Sequence, residues 1–433
     1  MCRTTGSNQR AICPFDLRGT VGTLPRQEDL ISMIQLRSGV LALILHFCMS
    51  PLYAGSDRPM PVNPPEEGAL RVATFNIKEL SLQMLANVNE EGHGRDPQVI
   101  AAARIIQRVR PDVLVILEID HDMATPGAAL DRTARLLAEN YLTHGESPIE
   151  FKYFYAAPCN TGLLSGVDLN NDGVIAKPSD VNDRTFGGDC FGFGNYPGQY
   201  SMAVLSRVPL DTANARTFQN FLWKDLPGHH IADGLFGAKA LAVARLSSKS
   251  HWDLPIDFGG KPLHLLVSHP TPQGFDGPED RNGRRNFDEI MMWKFYLDSS
   301  DALVDDRGTK GGLAGDEDFV LLGDLNAAPG RGSKYDEQFA MDLLLNHPRV
   351  QDTGEITSAP GALRGRPSGA PDFIERNTIG SANGSRIDYV LPSKTLKVVG
   401  GGVYWPSAET ELENCILAEY ASDHRIVWVD IKR

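Results

Sequence analysis

Five apolar runs in this chain border on polar residues that a plain core strand would not need. Leu70–Phe75 runs into Asn76, Val113–Leu117 into Glu118, Leu263–Val267 into Ser268-His269, and Phe319–Gly323 into Asp324-Leu325-Asn326. Ser422-Asp423-His424 stands immediately before a fifth run, Arg425–Ile431. Taken singly, each reads as a turn or a solvent-facing pair. Together they point to one cleft, because α/β sheets gather ligands at strand ends. Asn, Glu and Asp offer hard oxygen ligands. Mg²⁺ takes few of these from protein and fills its other positions with water and substrate phosphate. Histidines beside such a cluster can hold or move protons near neutral pH. The chemistry this suggests is hard-metal catalysis on a phosphate ester. Other chemistries find no support: there is no Cys/His cluster at zinc spacing, no glycine-rich phosphate loop, no strand-anchored Gly-x-Gly-x-x-Gly and no Gly-x-Ser-x-Gly elbow.

The elements that must hold these residues are legible. Asp96-Pro97 is a cap followed by a first-turn proline, and Ile100, Ile105, Ile106 and Val109 recur at helical spacing until Pro111. Val113–Leu117 is apolar throughout, as in a strand buried on both faces. Further strands are expected at Ser201–Ser206, Leu241–Leu246, Leu263–Val267, Phe319–Leu322, Arg386–Leu391 and Arg425–Ile431. Further helices are expected near Asp131–Asn140, Phe287–Leu297 and Asp336–Leu345. Strands interleaved with helices predict an α/β fold. Gly and Pro gather at 158–199 and 354–384, stretches too long for ordinary connections. No internal repeat or second linker breaks the rest, so one domain is expected over 68–433, behind a Pro-rich linker at 55–67.

Thr74-Phe75-Asn76-Ile77, Leu117-Glu118, Ser268-His269-Pro270, Leu322-Gly323-Asp324-Leu325-Asn326, Arg386-Ile387-Asp388-Tyr389-Val390-Leu391 and Ser422-Asp423-His424 follow in this order. As an ordered set spanning 74–424 they resemble the endonuclease/exonuclease/phosphatase superfamily, the DNase I-like metallophosphoesterases. The resemblance implies a four-layer α/β sandwich: two packed mixed β-sheets flanked by helices, with the site at one edge. It implies Glu118 as principal metal carboxylate, with Asn76 and Asp423 completing the metal site or its surroundings. Asp324 and Asn326 would orient the attacking water and a phosphate oxygen. His424 would be general base or phosphate contact, with Asp388 holding its tautomer. His269 would donate from the other side of phosphorus. Which histidine is base and which acid stays open. Mg²⁺ is the implied cofactor, with Mn²⁺ or Ca²⁺ as alternatives. Glu79, three residues past Asn76, reads equally as a metal aid and as an exposed loop residue.

Two features lie beyond this shared set. Arg281, Arg284 and Arg285 form a basic cluster shortly after His269 and are candidate substrate-binding residues, since guanidinium forks suit phosphate. Salt bridges to Asp280, Asp288 and Glu289 are the competing reading. Asp168, Asn170 and Asp172, followed by Gly173, fit the first half of a calcium loop, but Ser179 stands where a bidentate Glu belongs. A structural Ca²⁺ and a solvated turn are therefore both open there. The aromatic, Gly-rich run from Gly192 to Tyr200 is a candidate cleft wall.

Composition bounds the rest. The chain has 433 residues with 42% hydrophobic and 22% charged, too apolar for disorder. A net charge of −13 opposes non-specific binding to nucleic acid or anionic lipid. Residues 1–54 read as an N-terminal extension and cleaved signal peptide: Arg37, then an apolar run Val40–Cys48, then Ala54 before Gly55. A secreted or periplasmic protein is therefore expected, without an integral span after processing. In that setting Cys159 and Cys190, which flank one insertion, are the expected disulfide. The expected function is a secreted, divalent-metal-dependent phosphoesterase hydrolysing a phosphomono- or phosphodiester by in-line attack of activated water. The charge favours a small or lipid-derived substrate. An extracellular endonuclease acting on DNA or RNA is the alternative, and a non-catalytic calcium-binding module the minor one. A monomer is expected.

Overall fold

A computed structural model describes residues 62–354, 378, 385–406 and 411–433. The expected signal peptide lies outside the described residues, as do the linker up to residue 61 and nearly all of 355–384.

In chain order the strands are β1 (Leu70–Leu80), β2 (Val113–Ile119), β3 (Tyr153–Tyr155), β4 (Ser201–Ser206), β5 (Arg216–Thr217), β6 (His251–Phe258), β7 (Lys261–Ser268), β8 (Phe319–Asp324), β9 (Lys334–Tyr335), β10 (Gln338–Phe339), β11 (Asp388–Pro392), β12 (Lys397–Val403) and β13 (Val427–Lys432). One sheet runs β12-β13-β1-β2-β4-β3 and the other β11-β8-β7-β6-β5, while β9 and β10 form a separate hairpin. Both large sheets are mixed: β1 is parallel to β2 but antiparallel to β13, and β8 is parallel to β7 but antiparallel to β11.

The layers follow from strand alternation, which sends successive side chains to opposite faces. In β1, Val72 joins the apolar cluster shared by the two sheets, while Ala73, Phe75 and Ile77 join a cluster with the helix α1 (Pro97–Val109). In β8, Val320 and Leu322 face inward, while Phe319 and Leu321 pack with the helix α2 (Arg281–Leu297). The helix α3 (Leu412–Ala421) adds Ala418 and Ala421 to the outer layer beside α1. The result is helix, sheet, sheet, helix, the four-layer sandwich that the sequence implies. No helix among the described residues is long and apolar enough to cross a membrane.

α1 starts as its sequence predicts: the Asp96 carboxylate accepts from the Gln98 and Val99 amides, with Pro97 in the first turn. Several expectations need correction. Leu241–Leu246 is not a strand, because Ala238–Val243 is a short helix, in keeping with the helix propensity of Ala-Lys-Ala-Leu-Ala. The helix expected over Asp336–Leu345 shrinks to Asp342–Leu345, because Asp336 and Glu337 take left-handed backbone in the β9–β10 turn. The Asp131–Asn140 helix is Arg132–Leu137, widening into a π-turn over Ala138–Leu142. β6 escaped prediction because Asp253 and Pro255 interrupt its apolar pattern.

Cys159 and Cys190 are not paired: both are free thiols, which corrects the expected disulfide. Cys190 Sγ instead lies 3.2 Å from the Phe186 carbonyl. The 158–199 insertion is closed by polar contacts. The Asp189 carboxylate accepts from the Leu169 and Ala176 amides, each at 2.8 Å. The bridges Thr161 to Gly192 and Leu164 to Cys190 join its two arms. Tyr196 Oη donates to Asp120 at 3.0 Å, and the His121 amide donates to the Gly198 carbonyl at 2.8 Å, tying the insertion to the segment after β2.

Candidate active site

The inward-facing rows carry the chemistry at their ends. Two residues beyond inward Leu322 stands Asp324, and two beyond inward Val267 stands His269. Asp388 precedes inward Val390 by the same step. Asn76 lies four residues after inward Val72, on the same face. Register brings the rows together: Asp388 pairs directly with Asp324 across β11 and β8. Gly323 makes the approach feasible. Its φ is 146°, and a Cβ there would lie 2.0 Å from the Ser268 carbonyl oxygen, so no other residue fits without moving β7.

Asp324 Oδ2 is the hub. Asn76 Nδ2 donates to it at 3.1 Å, His269 Nε2 lies 3.5 Å away and His424 Nε2 3.8 Å away. Asp324 Oδ1 accepts the Asn326 amide at 2.9 Å, and Asn326 Nδ2 donates to the Pro270 carbonyl at 3.0 Å. Burial, with the Asp388 charge second, pushes the Asp324 carboxyl up to about 7, against the opposing pull of His424 and of its two hydrogen-bond donors.

The two histidines have opposite electrostatics. His424 Nδ1 is 2.9 Å from Asp388 Oδ2. Burial pulls His424 down, but the charges of Asp388 and Asp324, the Asp388 hydrogen bond and Asp423 outweigh it and hold the imidazolium up to about 10. His269 is driven well below the usual histidine value by burial first, then by Lys249 and His424. Its Nδ1 is buried without a partner. The site thus holds one charged and one neutral imidazole.

Glu118 forms the other wall. Asn76 Nδ2 donates to its Oε1 at 3.1 Å and the Glu79 amide to its Oε2 at 3.1 Å. A bulge between Leu117 and Ile119 and a left-handed Glu118 (φ 61°) take its carboxylate off the ordinary strand pattern. Tyr200 Oη, from the end of the insertion, donates to Glu79 Oε1 at 3.3 Å. The run from Gly192 to Tyr200 therefore reaches the site through Tyr200, a link that no sequence spacing signals. Ser422 Oγ donates to the Asn76 carbonyl at 2.8 Å and accepts the His424 amide at 3.1 Å, so the Ser-Asp-His turn is moored to β1.

Other expected residues form no hydrogen bond or ion pair with Asp324. The Asp423 side chain is 47% exposed and pairs with Lys78 at 3.5 Å. The arginine cluster bonds to backbone and not to the neighbouring carboxylates. Arg285 donates to the carbonyls of Leu246, Phe191 and Arg245; Arg284 to those of Glu279 and His230; and Arg281 to that of Leu169. These guanidiniums fasten the insertion and neighbouring loops to α2 through backbone carbonyls. In the candidate calcium loop, Asp168 accepts from the Asp172 and Gly173 amides, Asn170 from Asp172, and Asp172 from Val174. Those oxygens serve the loop's own turns.

One residue that the sequence did not single out stands close by. Lys249 is only 6% exposed, within a run of buried polar residues, Ser247 to His251. A lysine flanked by serines reads as a solvated turn, so only the fold reveals it.

A model of the Endonuclease/Exonuclease/phosphatase family matches residues 73–424. The chain belongs to this family. No curated protein matches it. Among solved structures, it is similar to an endonuclease/exonuclease/phosphatase from Beutenbergia cavernae DSM 12333 (19% identity, TM-score 0.45, covering 84% of this chain and 71% of that one). It is also similar to a family protein from Leptotrichia buccalis C-1013-b (14%, 0.45, 84% and 100%) and to a humanized D. rerio TDP2 (11%, 0.41, 84% and 100%). Family members are hydrolases of phosphate esters and generally use divalent metals.

The residues fit such a metal. Asn76 Oδ1 is buried with no hydrogen-bond partner, although its Nδ2 bridges Glu118 and Asp324. A buried, unpartnered amide oxygen on a side chain that also touches two carboxylates suits a hard cation. Separately, ligand atoms of Asp324, Asp388 and His424 lie within 4.8 Å of one another, a second candidate set.

Proposed function

We propose that this chain is an exported, divalent-metal-dependent phosphoesterase that hydrolyses a phosphodiester of a small or lipid-derived substrate. The observation that carries the reading is the convergence of Asn76, His269 and His424 on one buried Asp324 oxygen. Asn76 and Glu118 would hold the cation, with Asp324 at its edge. A bound Mg²⁺ would supply positive charge to the phosphoryl oxygens and help to ionise water. Asp324, raised toward neutral pH, is suited to accept a proton from the attacking water while Asn326 fixes its orientation. His424, charged across the physiological range, is suited to stabilise a phosphoryl oxygen, and Asp388 keeps it charged and oriented. Neutral His269 offers a hydrogen bond from the other side of Asp324.

Two observations favour a substrate with an apolar part over nucleic acid. The three arginines that would have formed a phosphate track are bonded to backbone carbonyls. Phe275, six residues after His269, is fully exposed. Its backbone is left-handed (φ 61°), and Asn282 and Asp276 hold its loop to the start of α2. A solvent-facing phenyl ring on the loop that follows His269 suits contact with an apolar substituent. The test is a substrate panel of plasmid DNA, RNA, bis-p-nitrophenyl phosphate, p-nitrophenyl phosphate and phospholipid vesicles, with Mg²⁺ or EDTA. Metal-dependent cleavage of the diester or the lipid, weakened on lipid alone by Phe275→Ala, supports the reading. Cleavage of DNA or RNA alone favours the nuclease, and full activity in EDTA refutes the metal dependence. N-terminal sequencing of exported protein tests the leader, the expected first residue being Gly55.

A further inference from the structure

Lys249 is a buried cation beside this site. Its backbone is fixed. β6 begins at His251 opposite Ser268, so the preceding residues run alongside His269 and Pro270. The Lys249 carbonyl accepts the Asn160 amide at 2.9 Å, and the neighbouring Ser248 amide donates to Glu289 at 2.6 Å. Glu289 is nearby, but both its oxygens are engaged, the second by the Thr271 amide at 2.6 Å. No hydrogen bond or ion pair forms to Lys249 Nζ among the described residues. The fields of Glu289, Glu118 and Asp324 all reach the ammonium, and its own field reaches His269. A buried ammonium with no partner is costly, and proteins keep such groups where a ligand completes them. An anionic ligand held on the side of the site facing Glu118, Asp324 and His269 would complete it.

We propose that Lys249 is a phosphate-binding residue of this site, its ammonium donating to a non-bridging oxygen of the bound phosphoryl group. The inference rests on the phosphoesterase reading and deepens it. With the three arginines bonded to backbone carbonyls, Lys249 would join the His424 imidazolium in supplying positive charge at the phosphate. Lysine suits this place as a compact point charge, where an arginine fork would demand a planar, bidentate partner.

The test compares full-length wild type, Lys249→Met and Lys249→Arg by calorimetric binding of inorganic phosphate in Mg²⁺, by Mn²⁺ binding without phosphate, and by thermal unfolding. For Lys249→Met, phosphate affinity falls about 10- to 100-fold, the loss expected for one charge-assisted hydrogen bond. Mn²⁺ affinity holds or rises, because a positive charge near Glu118 and Asp324 is gone. The unfolding midpoint holds or rises, because an unpaired buried charge is gone. Lys249→Arg restores part of the phosphate affinity. Phosphate affinity within twofold of wild type in Lys249→Met overturns the proposal. So does a joint fall of phosphate affinity, Mn²⁺ affinity and melting temperature, which marks a structural lysine, and so does a wild type that does not bind phosphate. Binding that depends on Lys249 in a protein that cleaves nothing in the panel would sink the enzymatic reading and leave the phosphate site standing.

Discussion

Replacing Asp388 by Asn removes a charge from the His424 pair while keeping an acceptor oxygen in place. His424 is buried, and its Nδ1 lies 2.9 Å from Asp388 Oδ2. Despite burial, the Asp388 and Asp324 charges hold His424 up to about 10, against an ordinary 6.5. That displacement corresponds to roughly 5 kcal/mol in favour of the charged form. The folded protein therefore binds this proton more tightly than the unfolded chain does. The stabilisation is fully present below pH 6.5 and is lost as pH rises through about 10. Removing one opposite charge at this distance lowers a pKa by roughly 1–3 units, so Asn should abolish about 1.5–4 kcal/mol of that alkaline loss. Asp388 Oδ1 is buried without a partner, so the new amide also leaves an unsatisfied donor, a penalty that is the same at every pH. The slope, and not the absolute stability, is the readout. Urea unfolding in EDTA at pH 6, 8 and 10 measures it, and the NMR titration of the His424 ring reports the proton directly. His230 and His264 are also raised but cancel in the comparison, since their partners, Asp288 and Asp253, are untouched. Equal pH slopes in the two proteins, or a wild-type His424 that titrates near 6.5, would refute the reasoning.

Four further outcomes are expected. Glu118→Gln weakens Mn²⁺ binding by ~10-fold or more in calorimetry, because an anionic wall of the site is neutralised. Arg71→Ala lowers unfolding free energy by about 3–5 kcal/mol, measured in urea, since it strands Asp430, which Arg71 holds through two 2.7 Å contacts deep in the fold. Gly323→Ala costs about 1–3 kcal/mol and lowers kcat, because a Cβ would collide with the Ser268 carbonyl and displace Asp324. Thiol reductant leaves the melting temperature of the folded protein unchanged, and a drop would mean that Cys159 and Cys190 pair after all.

The hub was readable because strand alternation carries it. Once Val320-Leu321-Leu322 is recognised as a strand, period two places Asp324 on the inner face with Val320 and Leu322, and the same count places His269 and Asp388. The remaining contributors are fixed by contacts far apart in sequence. Tyr200 reaches Glu79 across 121 residues, and Lys249 is buried by segments around Asn160, His269 and Glu289. The arginines misled for the same reason. Before a helix they look free, yet the fold brings the carbonyls of Leu169, Phe191, His230 and Leu246 to them. Leu241–Leu246 misled locally, since a short apolar run does not distinguish strand from helix.

Part of the energetic cost of this fold lies where the proposed chemistry lies. Glu79, Glu118, Tyr200 and Asn326 all take left-handed backbone, with φ of 55°, 61°, 55° and 49°. Such non-glycine conformations cost about 1–2 kcal/mol each. Beside them Asn76 Oδ1, Asp388 Oδ1 and His269 Nδ1 are buried without partners. Away from the site, the inward rows of both sheets are almost continuously apolar and fully buried, from Val72, Val115 and Val204 on one side to Leu254, Leu265 and Val320 on the other. That core can carry a strained and under-bonded rim because the rim ends the rows instead of interrupting them. His269 and Asp324 lie at the ends of inward rows whose earlier positions pack the core, while in β1 the row reaches Asn76 through the buried Thr74. A polar residue one step earlier on the same face, in place of Leu322 or Val267, would stand between the sheets without solvent or ligand to satisfy it. The strand ends are the places where this sandwich can seat buried carboxylates and imidazoles for a ligand to complete.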